Sequence, residues 1–102
     1  MKIAFDIDDT IYKIDRKYNC QVPDYDLIQV LRWFANNGDE VFIWSAGGTE
    51  YAQTIVDKLG LTDLVEVIPK GEFGNKQLNI DLTFDDDKCE QIGKVNIIVK
   101  RD

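Results

Sequence analysis

Short apolar runs alternate with amphipathic stretches along this chain, and that alternation limits the fold more than any other feature. Residues 2–7 (KIAFDI), 40–44 (EVFIW), 64–68 (LVEVI), 80–84 (IDLTF) and 95–99 (VNIIV) read as strands, short and rich in Ile, Val and Phe. Between the first two lies DYDLIQVLRWFANN, in which Leu27, Ile28, Leu31, Phe34 and Ala35 form an apolar stripe at helical spacing. Pro23 and Asp24 open this helix, and Gly38 suits the left-handed position just after it. A second helix follows in EYAQTIVDKL, with Tyr51, Ile55 and Leu59 on one face and Thr49 as its expected cap. Residues 11–22, IYKIDRKYNCQV, suggest a small hairpin or an irregular flap, and a short helical turn is expected within 86–92. Strands that alternate with helices pair in parallel, which predicts an open α/β sheet covered on both faces.

Composition narrows what such a sheet could do. The 102 residues suit one domain, 1–102, and a hydrophobic content of 44% supports a core. A net charge of −7 disfavours general nucleic-acid binding, which depends on clustered Lys and Arg. The absence of histidine removes Ser-His and Cys-His catalysis and His-ligated zinc, leaving acid–base work to carboxylate, Lys, Tyr or Cys. Cys20 and Cys89 lack metal-ligand spacing and read as lone thiols of a reducing compartment. No apolar stretch approaches the ~20 residues of a membrane span, and Asp6 interrupts the N-terminal apolar run, so a cytoplasmic protein is expected. The set Trp33, Phe34 and Trp44 is expected in the core.

In open parallel sheets, ligands bind at the carboxyl ends of the strands. Asp6 and Asp8 end the first strand, Ser45 with AGG the second, Lys70 follows the third, and Asp85 and Asp86 end the fourth. Carboxylates brought this close cannot all stay ionised unless a cation sits among them. They are hard oxygen ligands, so Mg²⁺ is the expected metal. A carboxylate can also attack phosphorus without a helper base, while a second one moves protons. Ser45 offers a hydroxyl to phosphate, and Ala46, Gly47 and Gly48 offer backbone N–H groups at a helix start. Lys70 and Lys76 are the candidate partners for the remaining phosphate charge, and Lys70 is favoured because it directly follows a strand.

The motifs IAFDIDDT, VFIWSAG and LTFDDD, in this order and at strand ends, resemble the first, second and fourth motifs of the haloacid dehalogenase-like phosphohydrolase superfamily. The resemblance spans nearly the full chain. It implies a Rossmann-like three-layer sandwich, with a five-stranded parallel sheet of order 3-2-1-4-5 and Mg²⁺-dependent phosphoryl transfer through an aspartyl-phosphate. It further implies Asp6 as nucleophile and metal ligand, and Asp8 as general acid/base with its backbone carbonyl on the metal. Thr10 would brace the loop beside the substrate, Ser45 would bind phosphate, and Asp85 with Asp86 would hold the metal. Asp9 has no role in the pattern and is expected to point away. The family's third motif, a lysine, falls on Lys70 or Lys76. Neither the Thr10–Ser45 nor the Ser45–Lys70 interval has room for the cap domain that many members carry.

The expected activity is therefore a phosphoric monoester hydrolase acting on a phosphorylated small molecule or macromolecule, with a homo-oligomer compatible. Two alternatives share these residues: a noncatalytic Mg²⁺- or phosphate-binding regulator on the same fold, and a phosphatase of nucleic-acid ends. A receiver-type signalling domain would need an Asp ending the third strand, where this chain has VIPK.

Overall fold

The computed structural model describes residues 1–71, 79–88 and 92–101. Its elements run β1 (Lys2–Phe5), β2 (Tyr12–Asp15), β3 (Cys20–Pro23), α1 (Tyr25–Asn36), β4 (Glu40–Ile43), α2 (Thr49–Lys58), β5 (Glu66–Val67), β6 (Leu82–Asp85) and β7 (Val95–Ile98). Five strands form one parallel sheet of order β5-β4-β1-β6-β7, while β2 and β3 pair antiparallel as a separate hairpin. With that hairpin set aside, the sheet's own strands in chain order lie third, second, first, fourth, fifth. The apolar β1 occupies the centre, flanked by β4 and β6, because its residues Ile3, Ala4 and Phe5 are fully buried on both faces.

Alternation along the strands divides the core in two. Ile3 and Phe5 of β1, Val41 and Ile43 of β4 and Phe84 of β6 share one cluster with Ile28 and Leu31 of α1 and Ala52, Ile55 and Val56 of α2. Phe5 and Phe84 stack with centroids 4.5 Å apart. Ala4, Phe42 and Trp44 point the other way and pack with Ile68 and Ile80. Both helices thus lie on the same face, and the three-layer arrangement expected from the sequence is not present among the described residues. The reason is topological. α1 and α2 link strands that step in one direction, from β1 to β4 to β5, and right-handed crossovers put such helices on one side.

Local signals explain the helix ends. Asp24 is the N-cap of α1 and accepts from the Leu27 N–H at 3.1 Å. Gly38, at φ +89°, follows the helix in the left-handed region. The expected Thr49 cap of α2 is not observed: Thr49 is the first helical residue, and Gly48 precedes it at φ +101° without a side-chain cap. Trp33 faces solvent rather than the core, whereas Trp44 is buried. Among the described residues, no helix is long and apolar enough to cross a membrane.

Candidate active site

The carboxyl edge of the sheet gathers the acids. β1 stops at Phe5, and Asp6 follows with its N–H still donated to Phe84 of β6 at 2.9 Å. This register sets Asp6 beside the end of β6, where Asp85 is the last residue. Asp6, Asp85 and Asp86 each present a carboxylate oxygen within 4.8 Å of the others. Asp6 and Asp85 are buried, and Asp86 is half-buried.

One lysine lies between them. Lys70 Nζ is 3.1 Å from Asp6 Oδ1 and 2.8 Å from Asp85 Oδ2, with only 8% of its side chain exposed. The geometry thus brings in Lys70 of the two candidate lysines; Lys76 lies outside the described residues. Thr10 is fully buried and donates to the other oxygen of Asp6 at 3.3 Å, so it braces the acid rather than facing an incoming ligand.

These contacts leave the cluster electrostatically strained. Burial, reinforced by the Asp85 charge and only partly offset by Lys70, pushes the Asp6 carboxyl up to about 7. Burial likewise raises Asp86, whose carboxyl hydrogen-bonds with Asp6. Burial alone would lower Lys70, but its contacts with Asp85 and Asp6 outweigh that and hold it above its ordinary value. An Asp6 carboxyl raised this far indicates a local deficit of positive charge. An all-oxygen carboxylate set of this kind suits a hard divalent cation, which would supply that charge.

Asp8 stands apart from the cluster. The chain turns directly after Asp6: Ile7 carbonyl accepts from both Thr10 and Tyr12 N–H, and Asp8 forms an isolated bridge to Tyr12. Asp8 is exposed, and its carboxylate Oδ1 accepts from Tyr51 Oη at 2.6 Å and Gln21 Nε2 at 3.2 Å. The strand does not continue far enough to bring its carboxylate among the acids. Asp9 takes φ +58° and turns its side chain to the hairpin, accepting from Ile14 N–H at 3.2 Å, away from the acid cluster.

Ser45 is buried at the end of β4, and its Oγ accepts from Gly47 N–H at 3.0 Å. That N–H is therefore engaged with Ser45 rather than open to an anion. Ala46 and Gly47 are exposed at the loop surface. A Cβ on Gly47 would lie 3.1 Å from the Tyr51 ring and 3.3 Å from Ser45 Oγ, so glycine allows this loop to close on both.

No family model, no curated protein and no solved structure matches the chain.

Three residues were not foreseen. Tyr51 reads in the sequence as part of the apolar face of α2, yet its hydroxyl ends on Asp8. Burial and the bond to Asp8 push it up to about 12, so it remains a donor. Gln21 gave no signal, because only the folded-back hairpin brings it to Asp8. Arg101 follows β7 and donates to Asp9 O at 2.9 Å, Thr10 O at 2.7 Å and Asp24 Oδ2 at 2.6 Å. Its position three residues past a parallel strand, at the carboxyl edge, was the available clue.

Proposed function

We propose that this protein is a Mg²⁺-dependent phosphatase of phosphoric monoesters that works through an aspartyl-phosphate on Asp6. The observation that carries the reading is the buried Lys70 shared by Asp6 and Asp85 on adjacent strands, with Asp86 beside them. The motif resemblance and the order of the sheet strands favour a Rossmann-like core of the haloacid dehalogenase-like type. Site residues would be Asp6 and Asp8 for catalysis, with Ser45, Ala46 and Lys70 around the phosphate and Gly47 bonded to Ser45 behind them. Bound to Asp6, Asp85 and Asp86, Mg²⁺ would offset the charge of these acids and of the phosphoryl oxygens.

The chain's own residues divide the chemistry. Asp6, held by Lys70 on one oxygen and Thr10 on the other, attacks phosphorus. The bond to the ester oxygen breaks, and Asp8 gives that oxygen its proton. Asp8 then takes a proton from water, which attacks the phosphorus and frees Asp6. Tyr51 and Gln21 orient the Asp8 carboxyl for both transfers. The substrate is a phosphorylated small molecule or macromolecule, met in a reducing cytoplasm.

Asp6→Asn and Asp8→Asn test this with an aryl phosphate, rapid quenching and intact-mass measurement. Asp6→Asn should form no covalent adduct. Asp8→Asn should accumulate one, with turnover lower by ~10²–10⁴-fold, and Asp9→Asn should stay near wild type. An adduct on Asp6→Asn would overturn the assignment. Stabilisation by Mg²⁺ with no phosphate release from any ester would instead favour a noncatalytic binder.

A further inference from the structure

We propose that the cavity between α1, α2 and the β2–β3 hairpin binds a second anionic group of the substrate, which makes the preferred substrate a phosphomonoester whose alcohol carries a further phosphate or carboxylate. The proposal rests on the phosphatase reading above and names the class of ester.

The cavity has a volume of about 410 Å³, and Tyr12, Gln21, Tyr25, Ile28, Arg32 and Lys58 are among its walls. That is room for a body of sugar or nucleoside size. Its charge runs against the rest of the molecule. The chain carries 19 acids to 12 bases, yet this cavity is lined by two bases and no carboxylate. Among the described residues, exposed Lys58 donates through Nζ to the neutral Tyr12 hydroxyl at 2.9 Å and lies over that ring, with no ion pair. Arg32, half-buried, has no hydrogen bond or ion pair among the described residues. Both cations line one space with no carboxylate among its described walls, so an anion there would meet two positive partners. Arg32 offers the planar fork that suits phosphate or carboxylate, and Lys58 a point charge.

The cavity is also joined to the reacting edge. Gln21 lines it and donates through Nε2 to Asp8 Oδ1 at 3.2 Å. Tyr12 lines it too, and its backbone bridges to Asp8. A phosphate over Asp6 with its ester oxygen towards Asp8 therefore sends its alcohol past Gln21 and into the space between the helices. Tyr12 and Tyr25 line that path, and Arg32 and Lys58 would meet the second anionic group.

The test compares kcat/KM for a series of α,ω-alkanediol bisphosphates with the matching diol monophosphates and with ω-phosphoalkanoates, in Mg²⁺. At one chain length, wild type should prefer the doubly anionic esters by about tenfold or more, as a charged hydrogen bond allows. The bisphosphate and phosphoalkanoate arms show whether the second group is phosphate or carboxylate. In Arg32→Gln/Lys58→Gln the ratio of doubly to singly anionic substrates should collapse towards one. Absence of a preference at every length, or a preference that survives in the double variant, overturns the proposal. Calorimetric titration of Asp6→Asn protein with the bisphosphates reads binding without turnover. Binding that weakens in the added double variant supports the cavity even where no ester is hydrolysed, a result that removes the phosphatase reading alone. Binding indifferent to Arg32 and Lys58 counts against the cavity.

Discussion

Lys70 carries two buried carboxylates on one ammonium group, at 3.1 Å and 2.8 Å. Lys70→Met leaves Asp6 and Asp85 facing each other without it, and removing one partner of a buried ion pair typically costs about 3–5 kcal/mol. In EDTA, above the pH at which Asp6 keeps its proton, the variant should melt well below wild type. Mg²⁺ should restore part of the loss and stabilise the variant more than it stabilises wild type. Equal Mg²⁺ effects on the two proteins would mean that the cation does not share these carboxylates. Tyr51 is the second residue of consequence, because its hydroxyl fixes Asp8 at 2.6 Å. Tyr51→Phe removes a hydrogen bond to a charged group, a contact worth ~1.5–3 kcal/mol. Turnover of alkyl phosphates, which need a protonated leaving group, should fall by about tenfold, with a smaller loss for activated aryl esters. Steady-state kinetics on the two ester types checks this, and an equal loss on both would separate Tyr51 from proton transfer.

At the scale of elements, Arg101 acts as a strap. It leaves the end of β7 and ties the carbonyls of Asp9 and Thr10 to the N-cap of α1. Three contacts from one guanidinium fix the turn behind Asp6 against the helix that follows the hairpin. Burial would raise the Asp24 carboxyl, but the Arg101 hydrogen bond and the Leu27 N–H outweigh it and hold it below the usual carboxylate range. Such a group stabilises the fold above its unfolded value of 3.8, and the contribution disappears as pH falls through the lower folded value. Asp24→Ala should cost about 1 kcal/mol through the lost cap, plus whatever the Arg101 contact adds. Asp24→Asn keeps a capping acceptor and isolates the charge. Urea unfolding should show a gap between wild type and Asp24→Asn near neutral pH that narrows in acid; a gap independent of pH would exclude the Arg101 pair as its source.

For the whole molecule, the acid cluster links stability to pH and would link it to a bound cation. The Asp6 carboxyl rises from 3.8 to about 7 in the fold, so between these values the native state binds more protons than the unfolded chain. Without metal, the Asp6 contribution to stability is present below pH ~4 and lost as pH rises towards ~7. A cation bound by the deprotonated cluster would reverse the trend, because it would bind the native state alone and stabilise it by mass action. Melting curves across this range, with EDTA and with Mg²⁺, should therefore diverge as pH rises. Parallel curves would argue against a metal at Asp6, Asp85 and Asp86.

The strand–helix alternation, the helix stripes and the polar strand ends are local in the chain, and they were enough to place Asp6, Ser45, Lys70, Asp85 and Asp86 at one edge of an α/β sheet. Period and turn chemistry act over a few residues, so a sequence carries them openly. The side of the sheet on which each helix lies depends on the order of the strands, which is why two layers rather than three hold the described residues. The turn after Asp6 also depended on the folded whole. Tertiary hydrogen bonds from Arg101 to Asp9 and Thr10 brace it, and the Asp8 carboxylate meets Tyr51 and Gln21 rather than the acids. Partners so distant in sequence meet only after the sheet is assembled, and no periodicity announces them.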